Sequence, residues 1–373
     1  MIYTFYERQA EKVRKVLRER DIDVLILTNQ QKISYVAGTY HNDYMCNTAV
    51  FLWANGEPTL LTAILEEGRL MFEGYIKDVQ FWNGPYYGLE VSSFSERSVE
   101  ILRERGMEKG TIAVEEPSIS WAVYSTLRAD LPHANFIDGE KLINEVMMIK
   151  DSEELSIMRR VSAIADVGLQ AIKEGAKIGI TECNLAGIAE YAMRELGCSY
   201  FYSPNQVSFD NRVITDHIPS NNILQPGDKI DVDLHPVWEE YRGDLERTLS
   251  FGKPDKEYEK MAEVCTEAAY DMVKSLRPGV STRDIEVNFR ERIKKAGYSD
   301  PVLKDLGHGI GTGHLPPLIS MEDIKLQDNM IVSICPYIYS SGKSSTFVME
   351  FCVLVHKDGG IPLNKEPLGL IIL

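Results

Sequence analysis

The sequence has no apolar run long enough to span a bilayer, no CxxC pair, no low-complexity tract and no short repeat. The first absence excludes an integral membrane protein, because a spanning helix needs about 20 consecutive apolar residues. The opening segment MIYTFYERQAEKVRKVL carries charges every few positions in place of an apolar leader core, so the expected location is cytoplasmic. Six cysteines, Cys46, Cys183, Cys198, Cys265, Cys335 and Cys352, form no regular framework. Reduced thiols and no disulfides are expected of a large intracellular chain with this usage. Basic residues are scarce beside acidic ones, 40 against 56, giving a net charge of -16. That balance repels phosphate backbones and anionic lipid alike, so neither nucleic acid nor a membrane surface is an expected partner.

With 373 residues, 44% hydrophobic and 26% charged, the chain is long enough for two domains, each with its own core. The first part alternates helix and strand signals. A basic amphipathic helix runs to about Arg20, followed by VLILT at 24–28, ISYVAG, and TAVFLWANGEPTLLT with Asn55-Gly56 as a hairpin turn. TIAVEE at 111–116 and NFIDG at 135–139 complete a small α/β domain. From Asp151, DSEELSIMRRVSAIADVGLQAIKEG has helical apolar spacing, and Asp151 with Glu154 has the form of a capping box. The junction is placed near Met148 to Lys150, giving domains 1–148 and 149–373. Further helices are expected at about 181–196, 255–276 and 281–296.

The ionisable residues cluster on apolar strands. KIDVDLHPVW puts Ile230, Val232 and Leu234 on one face and Asp231, Asp233 and His235 on the other, a pattern that a solvated sheet face also explains. Asp244, in YRGDLERTLSF, follows a short reversal through Val237 to Glu240 that can return the chain beside Asp233. LGHGIGTGHLPP holds His308 and His314 in what reads as a glycine-rich loop close to a ligand. It is not a phosphate loop, because the lysine followed by serine or threonine is absent. STFVMEFCVLV carries Glu350 alone among apolar residues, where a charge needs a partner. In MIVSICPYIY, alternation sets Met330, Val332, Ile334 and Pro336 on a core face and Ile331, Ser333, Cys335, Tyr337 and Tyr339 on a half-polar one. Cys335 is there either a small buried hydrophobe or a group facing a cleft.

In order, Asp233, Asp244, His308, position 335 and Glu350 resemble the metal-ligand series of the pita-bread (M24) superfamily, which includes methionine aminopeptidases, prolidases and creatinase. "PGDKIDVDL", "GHGIG" and the DSEEL helix carry the likeness, which covers nearly the whole chain. The resemblance implies a mixed α/β fold: a creatinase-type amino-terminal domain, then a pita-bread catalytic domain of two pseudo-symmetric halves around a cleft, commonly as a homodimer. It also implies two divalent ions and a metal-activated hydroxide attacking an amide carbon. Four of the five ligand positions are kept, Asp233, Asp244, His308 and Glu350. At the fifth, a segment that usually reads IEPGIY reads ICPYIY here.

Other departures point toward the substrate side. His314 lies one residue closer to His308 than usual and is followed by Leu315, and His235 stands where a glycine is usual. LERTL resembles creatinase more than the TRTF of peptidases. By resemblance to creatinase, His217 in TDHIPSN matches a proton-shuttling histidine, and Glu246 and Glu350 match carboxylates that hold a cationic substrate. Catalytic candidates are therefore His217, His308 and Glu350, and substrate-binding candidates are Glu246, His314 and His235. Tyr40, His41 and Tyr44, in AGTYHNDYMCN, join the latter as residues that such dimers extend toward the partner's site. A metal version uses Asp233, Asp244, His308, Cys335 and Glu350 for Zn, Fe or Mn; a metal-free version and a nucleophilic Cys335 are the alternatives. The leading expectation is a hydrolase of a C–N bond in a small amide- or amidine-like substrate. A metal-dependent Xaa-Pro dipeptidase, a metal-dependent lyase and a catalytically silent binding module compete with it.

Overall fold

The computed structural model describes residues 2–39, 47–70, 74–82, 91–209, 217–298, 305–340 and 345–373. The chain divides into two compact units, Met1–Val146 and Met147–Leu373. Among the described residues, no helix is long and apolar enough to cross a membrane.

The first unit is a six-stranded mixed sheet in the order Asp78–Trp82, Thr59–Ala63, Ala49–Trp53, Val24–Leu27, Thr111–Val114, Asn135–Asp138. All four residues of Val24–Leu27 are buried, as a central strand covered on both faces requires. The opening helix, Ile2–Glu19, buries Phe5, Tyr6, Ala10, Val13 and Leu17 along one stripe. The apolar run ISYVAG is helical through Ala37, in the helix Gln30–Ala37, with Gly38 just past its end. Asn29 starts that helix by accepting hydrogen bonds from the amides of Gln31 and Lys32. Gly38 ends it at φ 67°, where a Cβ would lie 2.2 Å from the Tyr6 ring.

The second unit is built on one long antiparallel sheet. Its strand order is His314–Leu318, Gly307–Ile310, Ile331–Ile334, Thr346–Leu354, Leu245–Ser250, Lys229–Leu234, Gln206–Phe209. Two helix pairs, Ser152–Gly175 with Glu182–Glu195 and Lys256–Ser275 with Thr282–Lys295, join one core with the apolar face of the sheet. The pairs repeat one plan. Gly179 and Gly279 both take positive φ before N-caps Thr181 and Ser281, and Gly197 and Gly297 do so after the second helix of each pair.

Asp151 caps the first of these helices in a full capping box. Its side chain accepts from the Glu154 amide at 2.9 Å, while the Glu154 carboxylate accepts from the Asp151 amide at 2.9 Å and from the Tyr241 hydroxyl at 2.9 Å. Asp151→Ala is expected to lower stability by about 1 kcal/mol, read as a shifted urea midpoint with an unchanged slope.

Two expectations need correction here. LGHGIGTGHLPP is a hairpin of strands Gly307–Ile310 and His314–Leu318, not a loop. Its glycines serve close strand packing, since a Cβ at Gly307 would lie 2.3 Å from the Ser333 carbonyl oxygen and one at Gly309 would lie 2.1 Å from that of Pro316. MIVSICPYIY is two strands, Ile331–Ile334 and Tyr337–Tyr339, interrupted at Cys335-Pro336. Residues 331–334 are buried on both faces, while half-buried Cys335 lies at the break that follows them.

Candidate active site

Three neighbouring strands position the acids. Glu246 lies opposite Asp233 on one side and opposite Glu350 on the other. Their neighbours Leu234, Leu245 and Phe351 belong to the core, so alternation sends the three carboxylates to the opposite face. Asp231, two residues before Asp233, shares that face. Ile334 pairs with Phe351, which brings Cys335, the next residue, level with Glu350; its Sγ lies 3.8 Å from Glu246 Oε2. His308 Nε2 sits between Asp244 Oδ2 at 3.4 Å and Glu350 Oε1 at 3.3 Å.

The cationic and imidazole groups gather around Asp244. Arg242 Nη2 donates to Asp244 Oδ2 at 2.9 Å, and Nη1 donates to His314 Nε2 at 2.5 Å. The guanidinium lies 4.3 Å from the centre of the Tyr202 ring. His235 Nε2 is 2.9 Å from Asp233 Oδ2 and 3.6 Å from Asp244 Oδ1, and its Nδ1 meets Ser203 Oγ at 2.9 Å. The rings of His308 and His314 are 4.0 Å apart.

Charge follows from this packing. Burial favours a neutral Asp244, yet the Arg242 guanidinium and the His308 hydrogen bond hold its carboxyl well below the usual range. Burial disfavours a charged His308, but hydrogen bonds to Asp244 and Glu350 raise its pKa to about 10. His235 is raised by Asp233 against the same burial penalty. Burial, followed by the charges of His308 and Arg242, pushes His314 down to about 2. Although the residue is exposed at its outer edge, its Nε2 accepts from Arg242 and is therefore unprotonated. Asp231 is pushed up to about 7 by burial and Asp233, and Glu246 is raised well above the ordinary value by burial, Asp231 and Asp233.

Burial, then Glu350 and Glu246, pushes the Cys335 thiol up as well. A nucleophilic Cys335 would need a cationic neighbour or a base to release the proton. The groups beside it are the carboxyls of Glu246 and Glu350, so the structure gives the nucleophile alternative no support.

His217 is held from outside this row. Its Nε2 meets Glu182 Oε2 at 2.9 Å, its amide donates to Gln206 Oε1 at 2.8 Å, and Gln206 Nε2 donates to Asp233 Oδ2 at 3.2 Å. Gln206 therefore connects the His217 backbone to the acidic cluster. Tyr40, His41 and Tyr44 lie outside the described residues.

The donor set suits a divalent cation. Asp231 Oδ1, Asp233 Oδ1 and Asp244 Oδ1 are buried without a hydrogen-bond donor, the kind of oxygen a hard cation takes. Three groups bring their ligand atoms within 4.8 Å of one another: Asp244, His308 and His314; Asp233, His235 and Asp244; and Glu246, Cys335 and Glu350.

Residues 156–357 match the family model described as metallopeptidase family M24, and residues 9–149 match the creatinase/prolidase N-terminal domain. The chain belongs to metallopeptidase family M24. This M24 chain is 27% identical over 357 residues to the Xaa-Pro dipeptidase of Lactobacillus helveticus, covering 94% of each. It is 26% identical over 368 residues to that of Pyrococcus furiosus, covering 98% of this chain and 100% of the other. Among solved structures, the dipeptidase of Pyrococcus horikoshii OT3 matches at TM-score 0.82 with 27% identity, over 98% of this chain and 100% of that one. The X-Pro aminopeptidase of Thermotoga maritima MSB8 matches at TM-score 0.86 with 22% identity, over 98% and 99%. The fold is thus the pita-bread arrangement, and the enzyme is a hydrolase acting on C–N bonds.

The site also contains residues that sequence patterning passed over. Arg242 stands two residues before Asp244, a spacing that could have nominated it as the counter-charge. Glu182 is 35 residues from its partner His217, and no local pattern links the two.

Proposed function

We propose that this M24 chain hydrolyses the C–N bond of a small, dipeptide-sized substrate of the Xaa-Pro type, with divalent-metal assistance. The observation that carries the proposal is the gathering of Asp233, Asp244, His308 and Glu350 at one end of the sheet, in a chain similar over nearly its whole length to Xaa-Pro dipeptidases. That similarity favours the dipeptidase alternative over the creatinase-like expectation. Asp233, Asp244 and Glu350 would hold the ion, with His308 beside them. When bound, a divalent ion supplies Lewis-acid polarisation of a carbonyl and lowers the pKa of water. Glu350 Oε1 is placed to accept a proton, and His314, kept neutral by Arg242, can meet a substrate group without adding charge. His217, fixed through Nε2, keeps Nδ1 for the substrate.

Proline release from a panel of Xaa-Pro dipeptides, with Mn2+ or Co2+ restored after chelation, tests the proposal. Wild-type protein is expected to release proline, and Asp244→Asn is expected to lose at least about 100-fold in kcat/KM. Absence of proline from every dipeptide would reject it. Glu246 keeps a second reading in play, because a carboxyl group aligned with Asp233 and Glu350 suits a cationic amide or amidine. Turnover of such substrates without added metal, in place of dipeptides, would select that reading.

A further inference from the structure

The two helix pairs of the second unit repeat with an offset of 100 residues, Gly179 answering to Gly279 and Gly197 to Gly297. In their second helices, Glu182–Glu195 and Thr282–Lys295, the exposed positions are the same, but what fills them differs. The later helix carries Arg283, Asn288 and Glu291 there, an ordinary solvated face, with Val287 among them. The earlier helix carries Cys183, Ile188 and Tyr191 at the matching places, with Gly187 where the other has valine. With Lys177 and Ile178 from the preceding turn, these residues line one open groove of about 680 Å³. Ile178 is 65% exposed and Tyr191 66%. Large apolar side chains standing singly at a surface are ordinary; gathered around one groove, they mark a contact.

Gly187 points the same way. Glycine weakens the interior of a helix relative to alanine, and a Cβ there would meet nothing within 4 Å, so no packing among the described residues requires it. The missing side chain leaves a recess one helical turn before the Tyr191 ring. A projecting ring and a recess on the same helix are complementary to a second copy of themselves, because an antiparallel two-fold contact sets each Tyr191 over the Gly187 of the other copy. The charges fit that arrangement: Lys177 lies beside the groove before the helix begins, and Glu195, which accepts from the Tyr191 hydroxyl at 2.8 Å, ends the helix. Antiparallel pairing brings each lysine toward the other copy's carboxylate. Ile178, Ile188 and Tyr191 expose roughly 400 Å² in total, about the apolar share of the ~800 Å² that each partner buries in a standard interface.

We propose that this face is a self-association surface, on which two copies of the chain pack their Glu182–Glu195 helices antiparallel about a two-fold axis. Neither a metal ion nor a substrate takes part, so the proposal stands apart from the activity.

The test is sedimentation equilibrium of the full-length protein, with no substrate present, beside two variants. Tyr191→Glu copies the residue of the solvated helix, and Gly187→Leu fills the recess. Wild-type protein is expected to have twice the mass of either variant under the same conditions, the association being weakened at least about tenfold in each. Leucine is a better helix former than glycine, so the circular dichroism of Gly187→Leu is expected to show at least the helix content of wild type, which separates a lost contact from a lost fold. A monomeric wild type overturns the proposal and leaves the face to some other occupant. Equal mass in wild type and either variant overturns it as well, because any assembly would then be built on a different surface.

Discussion

Arg242→Leu is expected to cost about 3–5 kcal/mol of stability, because it removes one partner of a buried ion pair and strands the other. Arg242 is 3% exposed and Asp244 is fully buried, so water cannot replace the lost hydrogen bond at 2.9 Å. His314 loses its donor in the same substitution. Urea denaturation of metal-free protein at pH 7 measures the loss. Its pH dependence carries a definite sign. The folded-state pKa of Asp244 is depressed, so the pair contributes stability above the unfolded carboxyl value near 3.8. That contribution fades as pH falls further toward the folded value. The gap between wild type and variant should therefore be full at pH 7 and narrow below about pH 4. Arg242→Leu combined with Asp244→Asn should recover most of the loss, since the stranded charge is gone. A variant as stable as wild type at pH 7 would mean that Asp244 is neutral or solvated there.

The acidic row was legible before any coordinates because period-two alternation is a property of the backbone: Ile230, Val232 and Leu234 had to leave Asp231 and Asp233 on one face. The Asp151 capping box was legible for a similarly local reason. What misled were segments whose local composition suits two states. Gly307 and Gly309 look like a ligand loop, yet they exist because neighbouring backbone atoms leave no room for a Cβ. ISYVAG has strand composition, and the Asn29 cap makes it helical. Cys335 sits on an interrupted strand, and its contact with Glu246 joins two departures 89 residues apart. No sequence period could connect them, because strand order, not spacing, brings 246, 335 and 350 together.

Glu182→Ala is expected to lower both stability and turnover, through a different route. The carboxylate is fully buried and accepts from the Phe209 amide at 2.8 Å, the Ser220 amide at 2.9 Å, the Ser220 hydroxyl at 2.7 Å and Asn222 Nδ2 at 3.2 Å, besides meeting His217 Nε2 at 2.9 Å. Those hydrogen bonds hold its pKa at about 2 despite the burial that would raise it. Truncation leaves the buried Phe209 amide without an acceptor, at about 1–3 kcal/mol, while the donors on exposed Ser220 and on half-buried His217 and Asn222 can turn to water. Glu182→Gln separates positioning from simple stability. Its amide keeps one acceptor oxygen, so part of the loop is retained, but its NH2 opposes the Ser220 amide that Oε2 now accepts. Hydrogen exchange should then quicken at the Ser220 amide while the Lys229–Leu234 strand stays protected. His217 would lose its fixed orientation, so kcat on any cleaved substrate should fall in Glu182→Gln by more than KM rises. Equal protection at Ser220 in Glu182→Gln and wild type would show that the loop is held by other contacts and that Glu182 does not position His217.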